Sequence, residues 1–148
     1  MNTCSLEDIN IISIFNVMQF KFEIEKFSDH AVIRTSGDRK TVSDYISGTN
    51  SLYDTIVESG RNFVLADYRD VRFHLNLTEA FNMVRMYERK LPKFKSITMA
   101  IVINPHTRDF AGMWEEISLK KGFDFKIFEN FDSAKEWVMK KIAKSKKK

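Results

Sequence analysis

The sequence holds one cysteine, Cys4, two prolines, five glycines and three histidines in 148 residues, and each scarcity removes a class of protein. A lone cysteine forms no intramolecular disulfide, and its place near the terminus suits no metal cluster, so a reducing cytoplasm is the expected setting. Three histidines and one cysteine do not furnish a closed zinc site, and no metal or cofactor is expected. So little glycine and proline excludes collagen-like and low-complexity chains. The signatures GxSxG, P-loop, GxGxxG and HExxH are all missing, which leaves no familiar nucleophile or phosphate cradle and no assigned catalytic residue. Long apolar runs are missing too. Residues 9–17 (INIISIFNV) follow Glu7 and Asp8 with no basic segment before them. They fall well short of the roughly 20 apolar residues that a membrane helix needs, so neither a secretion signal nor a membrane span is expected.

What the sequence has is an ordinary globular composition, 43% hydrophobic and 30% charged, at the size of one domain. Its formal net charge is +4, but Lys144, Lys146, Lys147 and Lys148 crowd the last five positions. Taking those four from the 24 Lys and Arg leaves 20, equal to the 20 Asp and Glu. The body of the domain is therefore neutral. A lysine tail without interleaved aromatics gives no support to nucleic-acid binding.

Periodicity orders the chain as ββαβαβαβα. Met18, Phe20, Phe22 and Ile24 alternate with polar residues, and HAVIRT (residues 30–35) forms a second strand across a turn at Phe27, Ser28 and Asp29. Val42, Tyr45, Ile46, Leu52, Tyr53, Ile56 and Val57 follow at helical spacing, started by Thr41 and Asp44 and stopped by Gly60. The apolar run FVLA (residues 63–66), ending in Asp67, reads as a central strand, followed by a loop to Asn76. Asn76 and Glu79 start a second helix that Pro92 limits. ITMAIVI (residues 97–103) is a buried strand. Phe110, Met113, Trp114 and Ile117 mark a third helix, Phe123, Phe125 and Ile127 a last strand, and Asp132 a cap for a helix facing inward through Ala134, Trp137, Val138 and Ile142.

Strands alternating with helices require parallel crossovers, so the expected fold is α/β, a mixed five-stranded sheet that opens on a β-hairpin and is flanked by about four helices. Residues 18–143 form its single domain, with residues 144–148 as a lysine tail. Residues 1–17 admit three readings: a flexible extension, an added edge strand, or a translated stretch upstream of Met18.

Ligands in open α/β sheets gather beyond the carboxyl ends of parallel strands. That rule selects a rim of Asp67, Tyr68, Arg69, Asp70, Arg72, Phe73 and His74 after one strand, with Asn104, His106, Thr107 and Arg108 after the next. An acid–base pair or anion pocket could be built from Asp67, His74 and His106, whereas strand terminators and a surface Arg69–Asp70 pair explain most of the same residues without function. Most of the thirteen Phe fall on inward positions, but Phe73, Phe94 and Phe110 lie in or beside loops and are harder to bury; clustered, they would suit a protein interface or the mouth of a lipid site.

The hairpin with its Ser36-Gly37, the strand ending in VLADYRDV, and FENFDSAKEWV with Phe128, Ala134 and Trp137 resemble the SpoIIAA-like STAS domains, small bacterial α/β proteins sharing a superfold with CRAL-TRIO lipid-binding proteins. The resemblance spans residues 18–142. It implies a non-catalytic, regulatory protein-interaction module, with a small-molecule or lipid-binding domain as the alternative and an enzyme at the Asp67/His74/His106 rim as a third reading. The partner implied is another protein, or else a small apolar or anionic ligand. Where the family carries its phosphorylated switch, this chain reads FHLNLTEAF: Asn76 stands at the acidic position, Thr78 near the hydroxyl, and Glu79 in place of the usual glycine. Thr78 is thus a candidate phosphorylation site, opposed by the like charge of Glu79. Oligomeric state is not legible in the sequence.

Overall fold

The computed structural model describes residues 11–17 and 20–147. Cys4 and the first ten residues of the expected extension lie outside them, as do Met18 and Gln19 at the expected start of the hairpin. The elements are β1 (Ile11–Val17), β2 (Phe20–Lys26), β3 (Ala31–Arg39), α1 (Val42–Ser59), β4 (Phe63–Phe73), α2 (Leu77–Lys90), β5 (Thr98–Ile103), α3 (Arg108–Lys120), β6 (Asp124–Phe128) and α4 (Phe131–Ser145). The expected mixed α/β sheet with four helices is present. Its five expected strands are β2 to β6, and β1 adds a sixth at the edge.

The strands lie in the order of the sequence, β1 to β6. β1, β2 and β3 pair antiparallel, whereas β3 with β4, β4 with β5 and β5 with β6 pair parallel. Each parallel step moves in the same direction, and right-handed crossovers then place α1, α2 and α3 on one face of the sheet. α4 follows the last strand and covers the other. Two cores result. The larger holds Ile33, Ala66, Tyr68, Tyr87, Ile101, Trp114 and Phe125 among others. The smaller is built from Val32, Leu65, Ala100, Val102, Ala134, Val138 and Ile142. β4 and β5 supply side chains to both faces, which is why their sequences run apolar without alternation.

Local chemistry sets the helix ends. Thr41 and Asp44 form a capping box on α1, and Gly60 (φ 70°) takes the left-handed position that ends it. On α2, Asn76 Oδ1 accepts from the Glu79 N–H at 2.9 Å while Glu79 Oε1 accepts from the Asn76 N–H at 2.8 Å. The cap of α4 is Asn130, whose side chain accepts from the Ser133 N–H at 2.9 Å, rather than Asp132. Asp132 sits in the first turn, where its charge still complements the helix dipole. Among the described residues no helix is long and apolar enough to cross a membrane.

Two strands run further than their sequence reading, β3 to Arg39 rather than Thr35, and β4. β4 continues past Asp67 to Phe73, so Asp67, Tyr68, Arg69, Asp70, Arg72 and Phe73 belong to a strand and not to a loop. The reason is a bulge: Arg34 pairs with Asp67 but Ser36 with Asp70, so β4 spends one residue more than β3. The extra residue shifts the alternation. Val64, Ala66 and Tyr68 face the larger core before the bulge, and Val71 and Phe73 face it afterwards. The broken period reads as a loop in the sequence although the ladder with β3 runs through it.

Candidate functional site

The expected rim divides between the two faces of the sheet. Asp67 is buried beneath α4, where its Oδ1 accepts from Arg69 Nε at 2.9 Å and from the Arg69 backbone N–H at 3.1 Å, and its Oδ2 from Arg69 Nη2 at 2.7 Å. Arg69 thus pairs with Asp67 and not with Asp70, which is exposed beside it. The Arg69 and Arg34 guanidinium carbons stand 5.5 and 5.8 Å from the centre of the Phe131 ring of α4. Burial pushes the Asp67 carboxyl up, but the side-chain and backbone hydrogen bonds from Arg69 outweigh it and hold the group below its ordinary value.

The remaining polar rim residues are chiefly structural. Asn104 Nδ2 donates to the carbonyls of Arg69 and Val71, both at 3.0 Å, tying the end of β5 to β4. Its Oδ1 accepts from the His106 N–H, and Thr107 Oγ1 donates to the Asn104 carbonyl. His74 Nε2 stands 4.0 Å from Asp38, and Arg72 is exposed. Among the described residues no hydrogen bond joins any two of Asp67, His74 and His106. The strand order never reverses, so the sheet has no switch-point crevice of the doubly wound kind. Connections part to opposite faces only after β5 and β6. There Arg108 Nε and Nη2 grip Glu129 at 2.5 and 2.7 Å and bridge the gap.

Tyr68 and Phe73 project to the other face and enter a concave feature of the rim. A cavity of about 50 Å³ lies between the sheet and α1, α2 and α3, and Arg39, Tyr45, Thr49, Tyr68, Tyr87 and Trp114 supply its polar wall. Leu52, Phe94, Met99, Ile101, Ile103 and Phe125 are among its apolar lining, and the half-buried Phe73, Phe110 and Ile127 stand where that lining meets solvent. Phe73 and Phe110 stack with centroids 5.1 Å apart, and Tyr45 packs against both. Phe94 lies deeper in the same lining and is fully buried, edge-on to Tyr53, Tyr87 and Phe125. Of the three aromatics expected to resist burial, two form the cavity's margin and one is core.

Arg39 is the residue that sequence reasoning missed. It ends β3, is 2% exposed, and its guanidinium donates to Thr35 Oγ1 at 3.4 Å and to the Ser36 carbonyl at 3.5 Å. It also lies against Tyr68, whose ring centre is 6.0 Å from its Cζ. Burial pushes its pKa below the ordinary guanidinium value, although a guanidinium keeps its proton in proteins. Gly48 of α1 makes the room: a Cβ there would come within 2.8 Å of Arg39 Nε. A glycine inside a helix costs about 1 kcal/mol relative to alanine, so the pairing of Gly48 with a buried arginine was a legible signal only with the register of β3 against α1 in hand.

Beside Arg39 runs a hydroxyl chain. Trp114 Nε1 donates to the Tyr87 hydroxyl at 2.9 Å, which lies 3.2 Å from the Tyr45 hydroxyl. Burial pushes Tyr87 up to about 12 and raises Tyr45 and Tyr68, so all three are neutral hydrogen-bond donors at physiological pH. Outside the cavity, α2 presents Leu77 and Phe81 to solvent, 49% and 42% exposed and one turn apart, with Thr78 beside them and Arg85 a turn further on. A scan against protein-family models and a search among curated proteins both find no match for the chain.

Proposed function

We propose that the chain is a non-catalytic, SpoIIAA-like STAS interaction module of a bacterial cytoplasm, and that α2 is the element by which it holds a protein partner. The observation that carries this reading is the exposed pair Leu77 and Phe81 at i and i+4, two large apolar side chains on one stripe of a helix whose other face is fully packed. Arg85 and Arg89 continue the outer face of the same helix. The partner that fits is a protein with an apolar groove and carboxylates at one end of it. The family resemblance supports the same surface, because its switch region corresponds here to Asn76, Thr78 and Glu79 at the start of this helix. Glu79 already holds a backbone amide there, so phosphate on Thr78 would meet a fixed carboxylate and loosen the first turn.

The test uses immobilised wild-type, Leu77→Asp and Phe81→Asp proteins against native lysate, followed by affinity measurement with the purified partner. A central anchor of this type is expected to cost at least about tenfold in affinity when replaced by aspartate. Equal recovery of every partner by all three proteins, each folded by circular dichroism, rejects the surface. Phe73 is unsuitable for such a test, since it packs between Tyr45, Tyr68 and Phe110 and a charge there disturbs the cavity.

A further inference from the structure

Independently of α2 and its partner, the two edges of the sheet are built differently. β6 is guarded against a further strand. It is short, its segment DFKIF carries the charges of Asp124 and Lys126, and the Ile127 N–H, a backbone donor that an added strand would need, is already given to Glu115 Oε2 of α3 at 2.7 Å. β1 has none of these devices. Its seven residues, IISIFNV, include no charge, proline or glycine. It pairs with β2 from Ile11 to Val17 in an unbroken register, without a bulge. Among the described residues no strand pairs with its other side. A regular, uncharged edge rich in β-branched residues turns alternate backbone N–H and C=O groups outward and is a template for another strand.

The segment complements itself. Turned antiparallel about a two-fold axis at Ile14, it pairs Ile11 with Val17, Ile12 with Asn16, Ser13 with Phe15, and Ile14 with its own copy. Any other centre leaves some of the seven residues without an opposite. No pair sets like charges across from each other, and a two-fold join closes on itself, so pairing stops at two copies. Head-to-tail growth would instead have to join β6 of one copy to β1 of the next, and Glu115 stands in its way. On β2, behind the edge, Glu23 and Glu25 lie 3.8 and 3.6 Å from Arg34 of β3, so these acids are paired within their own copy.

We infer that β1 is a homodimer interface, at which two copies of the chain join antiparallel through Ile11–Val17 and make their sheets continuous. Seven residues a side fall short of the roughly 20–30 of a standard interface, so the dimer forms in the micromolar range and follows concentration. α2 crosses from β4 to β5, away from the join, and the dimer therefore presents the Leu77 and Phe81 surface twice.

The experiment is sedimentation equilibrium of the full chain from about 1 to about 500 μM, over which the weight-average mass is expected to rise toward that of two chains. Ile14→Lys sets a lysine opposite Glu23, its register partner on β2, but brings two lysines together on the axis. It is expected to weaken dimerisation at least about tenfold with the circular dichroism of the fold unchanged. Cross-linking reads the register. Residues opposite each other on antiparallel strands lie about 4.5–5.5 Å apart at Cα, within disulfide reach. In a Cys4→Ser background, Ile14→Cys is therefore expected to link two chains when treated with oxidised glutathione, and Lys126→Cys on β6 is not. The proposal is overturned by a single-chain mass at every concentration, which is the outcome if residues 1–10 or a different protein take the edge. It is equally overturned by a dimer that Ile14→Lys leaves intact, or by linkage through Lys126→Cys and not Ile14→Cys. The wild-type series and the cross-links decide it even where Ile14→Lys fails to fold, and none of these outcomes bears on Leu77 or Phe81.

Discussion

Arg39 and Gly48 show how much one pair of residues, nine positions apart in the chain, decides about the interior. The strand end places a charged side chain under α1, and the helix gives up a side chain to receive it. Alanine for glycine inside a helix ordinarily stabilises by about 0.5–1 kcal/mol. Gly112 of α3 has open space where its Cβ would be, and Gly112→Ala is expected to raise the melting temperature accordingly. Gly48→Ala is expected to do the opposite, lowering stability by roughly 1–3 kcal/mol, because the guanidinium it meets is fixed in a packed wall. Paired thermal denaturation of the two variants reads the difference directly, and a stabilised Gly48→Ala would contradict the observed packing. Neither residue stood out in the sequence. Arg39 lies in a polar stretch, SGDRK, that carries no apolar period, and its burial follows from tertiary contact alone.

Among the elements, β4 separates what was legible from what was not. Its first half, FVLA, announced itself by composition, and both capping boxes, Thr41 with Asp44 and Asn76 with Glu79, were readable because they depend on residues three apart. The second half was hidden by the bulge, which breaks the period by which a strand is recognised. Asp67 fixes that bulge by binding the backbone and the side chain of Arg69 together. Its pKa is held below the ordinary 3.8 in the folded protein, so the unfolded chain takes up its proton first as pH falls. The stabilisation is therefore present above that ordinary value and is lost as pH drops through the lower, folded one. Asp67→Asn is expected to be less stable than wild type at neutral pH and to approach it as pH falls through this window. Chemical denaturation at a series of pH values checks this, and a gap that stays constant into strong acid would show that the Asp67 charge does not clamp the bulge.

At the scale of the whole molecule, the α/β class and the four helices followed from the alternation of periods, because a crossover helix leaves an amphipathic stripe that no other arrangement of this length explains. The site was less legible. The rule that ligands gather at carboxyl ends of strands led to the edge of the sheet where Tyr68 and Phe73 reach the cavity, but the same list mixed in Asp67 and Arg69, which face α4. A one-residue shift of register moves a side chain through the sheet, and no local pattern records it.

The strand order has a consequence for how the protein is made. Because each strand pairs with the one synthesised just before it, the sheet can be assembled from its amino end while the chain is still being translated, without waiting for distant segments. The larger face gains its cover helix by helix in the same order. The smaller face does not: Val32, Leu65, Ala100 and Val102 wait for Ala134, Val138 and Ile142, which come last. A nascent chain halted after β6 would carry a finished sheet with one bare apolar side. Chains released at residue 129 are accordingly expected to aggregate or to be retained by chaperones, whereas the full chain is not, and sedimentation of the two translation products distinguishes them. The final helix is thus the step that turns an adhesive intermediate into a finished protein.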